Sequence, residues 1–248
     1  MKKIYLNLSG GLGNQIFELF YCLSYYDTKK HEVQIVINTY YLDKYKTKRS
    51  FELAQILSLV DVHWELENKP VFFRLVKMLS KVFKKDISLK IGNIVFIDSY
   101  YQNFSTYTEN QLGHLKQIIT AIRNKIKSHP ANNQVCLHYR LTDFKTTKSE
   151  FFEEIKYFQK NLNNRSFNAI TDDEQDFLRL TKQHLHPQYI LSFEDFSPWE
   201  LLLEFAKYEV LISNGSTLSF FGALLGNCTE YKSRILLLEH NFKLIRSS

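Results

Sequence analysis

Residues that break regular structure are scarce in this chain, which has eight glycines and four prolines among 248 residues. Long flexible linkers are therefore not expected. The three cysteines, Cys22, Cys136 and Cys228, are widely spaced and form no Cys-x-x-Cys pair, so neither a zinc site nor a disulfide framework is predicted. We expect reduced thiols and a cytoplasmic protein.

Long apolar runs and an extreme charge are absent as well. No apolar stretch approaches the roughly 20 residues of a membrane-spanning helix. The amino-terminal MKKIYLNLSGG is too briefly apolar for a signal peptide and is interpreted as a first strand. A net charge of +6 and a pI near 9.0 are too moderate to indicate nucleic-acid binding. The basic clusters at 44–49 and 81–85 are interpreted as solvated faces, with at most weak peripheral attraction to the inner face of a membrane.

Hydrophobic periodicity predicts strands that alternate with helices in both halves of the chain. The predicted strands are 4–8, 33–37, 94–97, 135–139, 166–170, 189–191, 210–212 and 234–238. The predicted helices are 16–23, 51–60, 71–83, 111–127, 150–162, 174–185, 199–208 and 218–225. The polar segment 128–133 contains a helix-ending proline, so we expect one domain over 1–130 and a second over 131–248.

This alternation predicts an α/β fold with two doubly wound parallel sheets. In such sheets ligands bind at the carboxyl ends of the strands. Four polar loops follow predicted strands, at 9–15, 138–143, 171–173 and 213–217. We therefore expect the site residues to lie in these loops.

The first loop joins a strand to a helix through Gly10, Gly11, Leu12, Gly13, Asn14 and Gln15. Glycines at such a junction let the backbone approach a ligand closely and aim helix N–H groups at an anion. Ile16 stands where a dinucleotide fingerprint needs its third glycine, and Asn38 ends the second strand where an acidic residue would bind ribose, so a nicotinamide dehydrogenase is disfavoured. The alternative is a tight turn that binds no ligand.

The second loop, 138–143, carries His138, Arg140 and Asp143. The guanidinium of Arg140 suits bidentate contact with a diphosphate. The alternatives are a local ion pair between Arg140 and Asp143 and a buried structural histidine.

The remaining two loops carry small hydroxyl residues and acids at predicted helix starts. Asn214, Ser216 and Thr217 suit either a helix cap or a phosphate cradle. Asp172 and Asp173 suit either a cap or contact with a ribose, a guanine or an acceptor hydroxyl. Taken together, the loops indicate a nucleoside diphosphate bound between two domains. The chain has no Asp-x-Asp motif for a divalent metal, so Arg140 would neutralise the diphosphate charge.

The same segments resemble the bacterial inverting α-1,2-fucosyltransferases, glycosyltransferase family 11, in the same order along the chain. The matching segments are 10–17, 49–53, 99–102, 138–143, 169–173 and 212–225. The resemblance implies a GT-B-like fold, in which two Rossmann-like domains face a cleft, with the acceptor and the glycine loop on the amino-terminal side. It implies metal-independent transfer of fucose from GDP-fucose to a glycan hydroxyl, O-2 of galactose in a surface polysaccharide.

The resemblance also assigns roles to the site residues. Arg140 neutralises the leaving diphosphate. The nucleotide sugar is contacted by Gly11, Gly13, Asn14, Gln15, Asp172, Asp173, Asn214, Ser216 and Thr217. The resemblance does not name the general base. Our own hypothesis is that the base is one of Asp143, His138 and Glu18, with Asp143 preferred, and the alternative for Asp143 is that it orients Arg140.

Leu141 and Thr142 stand where the family has Arg and Gly. A Thr at the second position also occurs in related α-1,6- and O-fucosyltransferases. The loss of the Arg leaves open a different nucleotide-sugar donor or a non-catalytic nucleotide-sugar-binding protein. The oligomeric state is open as well.

Overall fold

In a computed structural model the chain forms two compact units, Met1–Lys125 and Ile126–Ser248. The structure describes residues 2–25, 33–40, 42, 50–60, 62–67, 78, 87–91, 94–98, 102–126, 134–141 and 148–246. The division falls five residues before the predicted boundary between 130 and 131. The separate roles of the two halves stay a prediction.

The first unit contains a sheet in which five strands are described. In chain order they are β1 (Lys2–Asn7), β2 (Val33–Asn38), β3 (His63–Glu67), β4 (Ile87–Ile91) and β5 (Ile94–Asp98). Their spatial order is β3-β2-β1-β5-β4, with parallel pairing except between β4 and β5. The helices are α1 (Leu12–Tyr25), α2 (Ala54–Leu59) and α3 (Glu109–Lys125).

Helix α1 follows β1 directly and buries an apolar face, as its 3.6-residue periodicity predicts. Ile16, Phe17, Leu19 and Phe20 are all fully buried, and α1 packs against α3 and the sheet. This packing fixes the loop between β1 and α1 at the carboxyl edge of the sheet.

The second unit contains a sheet in which every described neighbouring pair is parallel. Its strands are β6 (Val135–Tyr139), β7 (Asn168–Thr171), β8 (Ile190–Ser192), β9 (Val210–Ser213) and β10 (Glu230–Ser233), in the order β10-β9-β6-β7-β8. Its helices are α4 (Lys148–Leu162), α5 (Glu174–Thr181), α6 (Pro198–Phe205), α7 (Thr217–Leu225) and α8 (Leu236–Arg246).

Among the described strands, each sheet reverses its order at one point. In the second unit the chain runs outward from β6 to β7 and β8, and then returns to place β9 on the other side of β6. The order of the second sheet therefore reverses between β6 and β9, and that of the first sheet reverses between β1 and β5. Loops that leave adjacent strands in opposite directions open a crevice at the carboxyl edge, where open α/β sheets bind ligands.

The predicted strand at 234–238 is wrong. Strand β10 ends at Ser233, and α8 begins at Leu236. The apolar run that follows Arg234 fits a helix as well as a strand, whereas the true strand alternates half-buried and buried residues. Strands β3 and β4 were not predicted, and the predicted helix 71–83 lies outside the described residues except for Met78.

Three further expectations concern the surface and the thiols. Among the residues that the structure describes, no helix combines the length and the hydrophobicity needed to cross a membrane. The basic clusters 44–49 and 81–85 lie outside the described residues. All three cysteines are described, and each thiol is free and buried.

Candidate functional site

Arg140 follows β6 at the carboxyl edge of the second sheet, and Asp172 follows the neighbouring strand β7. The backbone N–H of Leu141 donates to Asp172 Oδ1 at 2.6 Å, and Arg140 Nε lies 3.9 Å from Asp172 Oδ2. The Arg140 side chain is 26% exposed, whereas that of Asp172 is only 8% exposed. A nearly buried carboxylate thus lies beside a guanidinium that solvent can reach. Asp143, the predicted partner of Arg140, lies outside the described residues.

Asn214 follows β9, on the other side of β6, and its side chain bonds to the backbone of Arg140. Asn214 Oδ1 accepts from Arg140 N at 3.1 Å, and Asn214 Nδ2 donates to Arg140 O at 2.8 Å. The amide predicted to contact phosphate is therefore engaged in holding Arg140. Its geometry supports a positioning role.

The residues 213–217, here called the cradle, lead from β9 into helix α7. Ser213 Oγ accepts from the N–H groups of Gly215 at 3.1 Å and Ser216 at 3.3 Å. Ser216 caps α7 by accepting from Leu218 N at 3.2 Å. The first N–H groups of a helix have no partner within it, and among the hydrogen bonds of the described residues none uses the N–H of Thr217. The cradle thus combines a cap with a helix start that can receive an anion.

Gly215 makes the bend of the cradle. Its φ is +123°, a conformation that side-chain-bearing residues rarely adopt. A Cβ at this position would lie 2.6 Å from the Ile235 side chain. The cradle therefore depends on glycine here.

His138 lies one residue before the end of β6, with its ring fully buried. The ring packs against Phe193 and Phe205, with centroid separations of 5.3 and 4.7 Å. Burial, together with the nearby Arg140 charge, lowers the pKa of His138 to about 3. A neutral, enclosed imidazole is poorly placed to exchange protons with a substrate. The geometry favours the buried structural histidine over the predicted general base.

Asp173 caps helix α5 by accepting from Asp176 N at 2.8 Å. Its own N–H donates to Thr171 Oγ1 at 3.3 Å. The capping alternative is therefore realised at Asp173, next to Asp172.

The glycine loop of the first unit turns between β1 and α1. Gly10 has φ +74°, and a Cβ there would lie 2.6 Å from Asn14 Nδ2. The N–H groups of Asn14 and Gln15 donate to Gly11 O at 2.9 and 3.1 Å, which starts α1, and Gly13 lies in its first turn. Asn14 Oδ1 accepts from Gln102 Nε2 at 3.2 Å across the reversal point of the sheet.

The side chains of Gln15 and Glu18 form hydrogen bonds within the first unit. Gln15 Nε2 donates to Gly10 O and Ser50 O, both at 3.0 Å. Glu18 is fully buried and accepts from Ser9 Oγ at 2.6 Å and from Ser9 N at 3.1 Å. These contacts support positioning of the loop rather than contact with a ligand.

Asn38 also has an internal partner. Its Nδ2 donates to Asn7 Oδ1 at 2.8 Å, which joins the carboxyl ends of β2 and β1. An amide in this pairing does not supply the acceptor that a dinucleotide ribose requires.

Sequence reasoning did not assign site roles to Ser9, Ser213 and Gln102. All three lie in segments that the sequence pattern marks, 9–15, 99–102 and 213–217, but the contacts of their side chains are seen only in the structure. Among the described residues no three His, Cys, Asp or Glu side chains are grouped so as to hold a metal ion.

No protein-family model and no curated protein sequence matches the chain. Solved structures do resemble it. The fucosyltransferase NodZ from Bradyrhizobium gives a TM-score of 0.51 at 12% identity, over 91% of this chain and 93% of that chain. The heptosyltransferase WaaC from E. coli, solved with ADP, gives 0.48 at 10% identity, over 92% and 86%.

At such low identity the likeness to NodZ is evidence of fold alone. It extends over nearly the full length of both chains, so both units of this chain are included. The predicted fold class, an α/β chain of the GT-B type with two Rossmann-like units, is confirmed.

Proposed function

We propose that this chain is a glycosyltransferase that takes its sugar from a nucleoside-diphosphate sugar. The observation that carries the proposal is the pairing of Arg140 with the cradle on adjacent strands, at the point where the second sheet reverses its order. A partly exposed guanidinium and a helix start are two kinds of group that bind phosphate. The shared fold supports the proposal, because the NodZ structure is that of a fucosyltransferase.

Transfer of a sugar from a nucleoside diphosphate requires groups that bind phosphate. As the bond between the sugar and the diphosphate breaks, the sugar becomes oxocarbenium-like and negative charge grows on the leaving phosphate. Preorganised donors at that phosphate lower the barrier, and removal of one such donor typically costs about 10²–10³ in turnover. Arg140 is held by Asp172 and Asn214 before any ligand arrives, so little reorganisation is needed.

Within this class we propose GDP-fucose as the donor and O-2 of galactose in a surface glycan as the acceptor, with inversion and without a metal ion. The support is the ordered series of segments that resemble the motifs of bacterial α-1,2-fucosyltransferases, and we propose that the chain belongs to that family. In this scheme the first unit serves the acceptor and the second unit the nucleotide. The protein would act in the cytoplasm, at most peripherally at the membrane.

The acceptor hydroxyl must lose a proton as it attacks the anomeric carbon. We propose Asp143 as the base. The burial of His138 argues against that residue, and the bonds from Ser9 engage Glu18.

The experiment is a thermal-unfolding titration with GDP, GDP-fucose, GDP-mannose, UDP, ADP and NAD, with EDTA present. A ligand at 100 times its Kd adds about 2.7 kcal/mol to the free energy of unfolding. Stabilisation by GDP and GDP-fucose alone supports the fucosyl donor. Stabilisation by UDP or ADP alone would retain the proposal of a nucleoside-diphosphate-sugar transferase but would replace GDP-fucose as the donor. No response to any nucleoside diphosphate overturns the proposal.

A non-catalytic nucleotide-sugar-binding protein would pass the same titration. A second assay therefore measures GDP release from GDP-fucose with and without galactose-terminated glycans. Release that depends on the glycan supports a transferase. Tight binding without release across the acceptor series favours the binding protein.

A further inference from the structure

The hydroxyl of Ser213 is the centre of a buried polar cluster beneath the cradle. It accepts from Gly215 N and Ser216 N, and the Ser219 hydroxyl donates to it at 3.1 Å. His138 Nδ1 lies 3.5 Å away. Ser213, Ser219 and His138 are all fully buried, so none of these groups is positioned to touch a ligand.

The Ser213 hydroxyl is surrounded by polar groups. Three donors approach it, namely the two N–H groups of the cradle and the Ser219 hydroxyl, although a serine oxygen has only two lone pairs. The hydroxyl of Tyr231 also lies beside Ser213 and Ser219. Ser219 is held in turn, since its hydroxyl also lies 3.0 Å from Ser216 O.

This cluster also joins the cradle to the strand that carries Arg140. His138 and Ser213 are register partners in the pairing of β6 with β9. One residue further on, Asn214 bonds to the backbone of Arg140. The backbone of Arg140 and the start of α7 are therefore joined by two successive links between the same strands.

We propose that Ser213 is a positioning residue for the diphosphate: its buried hydroxyl holds the cradle N–H groups, and hence the start of α7, in register with Arg140. This inference rests on the proposed function and gives a role to a residue that the sequence analysis placed in the loop 213–217 without one. A plain helix cap would stabilise the second unit without a specific effect on phosphate binding.

The chain contains a matched control. Ser233 ends β10 as Ser213 ends β9, and the two are register partners. Ser233 is equally buried, and its hydroxyl accepts from Ile235 N at 3.1 Å, a turn of the same kind. Ser233→Ala therefore shows what the loss of a buried hydroxyl at the end of a neighbouring strand does by itself.

The experiment measures the affinity of wild type, Ser213→Ala and Ser233→Ala for GDP and for guanosine by calorimetry, with thermal unfolding of each variant alongside. We expect Ser213→Ala to weaken GDP about tenfold, the scale of one or two lost hydrogen bonds. Guanosine, which has no phosphate, should bind as before. Ser233→Ala should bind GDP within twofold of wild type even if its melting temperature falls equally.

Any of three results would overturn the inference. They are an unchanged GDP affinity in Ser213→Ala, an equal loss of affinity for GDP and guanosine in that variant, and an equal loss of GDP affinity in Ser213→Ala and Ser233→Ala. If Ser213→Ala does not fold, Ser219→Ala takes its place, because it removes the donor to the Ser213 hydroxyl and leaves that hydroxyl in the chain. In that case the inference is overturned if the ratio of the GDP affinity to the guanosine affinity is the same in Ser219→Ala as in wild type. If wild type binds no diphosphate in the titration above, the proposed function itself fails. If it binds UDP or ADP instead, the same comparison is made with that diphosphate and its nucleoside.

Discussion

The side-chain amide of Asn214 pairs with the backbone of Arg140 as one strand residue pairs with another. It accepts from Arg140 N at 3.1 Å and donates to Arg140 O at 2.8 Å, just beyond the last paired residues of β6 and β9. The ladder is thereby extended by a side chain at the place where its backbone partners diverge. The consequence is that Arg140 has a fixed backbone although it lies outside the strand.

This relationship predicts the effect of Asn214→Asp. The carboxylate retains the acceptor for Arg140 N but loses the donor to Arg140 O and adds a negative charge near the expected diphosphate. We expect a loss of about 1–3 kcal/mol in the free energy of unfolding and a weaker affinity for GDP. Denaturant unfolding and calorimetry measure the two effects. Wild-type affinity in this variant would show that Asn214 does not position the site.

Arg140 should matter for turnover more than for folding, because its side chain is partly exposed. We expect Arg140→Ala to lower donor-dependent transfer by at least 10²–10³. Arg140→Lys should recover only part of the loss, because an ammonium lacks the planar fork of guanidinium. Arg179→Ala removes an exposed arginine of the same unit and is the control, expected within twofold of wild type. Near wild-type turnover in Arg140→Ala would contradict the mechanism.

Asp172 is expected to act through Arg140. Asp172→Asn keeps an oxygen that can accept from Leu141 N and removes the negative charge beside the guanidinium. We expect a roughly tenfold lower turnover, which corresponds to about 1.4 kcal/mol of barrier, with little change in melting temperature. The measurement is steady-state transfer beside thermal unfolding. An unchanged rate would exclude Asp172 as the residue that orients Arg140.

Gly215 offers a test of the cradle itself. Gly215→Ala places a methyl group 2.6 Å from Ile235 at a φ of +123°, so we expect loss of both stability and GDP affinity. Gly113→Ala is the matched control, since no atom lies within 4 Å of a Cβ there and the residue is in helix α3. That variant should gain about 0.5–1 kcal/mol. A Gly215→Ala protein as stable as wild type would refute the strain at this bend.

The pH dependence of stability should report His138. Its pKa is lowered to about 3 in the fold, so between pH 6.5 and 3 the unfolded chain binds a proton that the folded chain does not. Stability from this residue is therefore complete above pH 6.5 and is lost as the pH falls, by about 2 kcal/mol at pH 5.

The measurement for this prediction is chemical denaturation of wild type and His138→Phe at pH 7 and pH 5. The phenylalanine ring suits the site between Phe193 and Phe205 and does not titrate. We expect a smaller loss of stability on acidification in the variant. Equal losses in the two proteins would mean that His138 is charged, or exposed, in the folded state.

The sequence predicted the buried strands well because a buried parallel strand is continuously apolar. Strand β6, where every residue is buried, is the plainest case. Strand β3 is exposed or half-buried at every position and has no such run, so the sequence does not predict it. The run after Arg234 is apolar but helical, and only its neighbours in three dimensions separate the two structures.

The candidate site was predicted less completely than the fold. The loops that hold Arg140 and Ser216 were located from strand ends and helix starts. The partners of those residues were not predicted, because a pairing such as that of Asn214 with Arg140 joins positions 74 residues apart in the chain. Polar type alone also cannot separate Asn214, whose amide is engaged by backbone, from a residue that faces a ligand.

The burial of the cysteines has a practical consequence for all of these variants. Burial raises the pKa of the Cys228 thiol to about 12 and those of Cys22 and Cys136 above their usual range, so the folded chain holds its thiols protonated and enclosed. A chromogenic disulfide reagent should react slowly with the native protein and rapidly wherever a unit opens. Cys22 belongs to the first unit and the other two to the second, so labelling followed by peptide mapping reports which half of a variant has loosened.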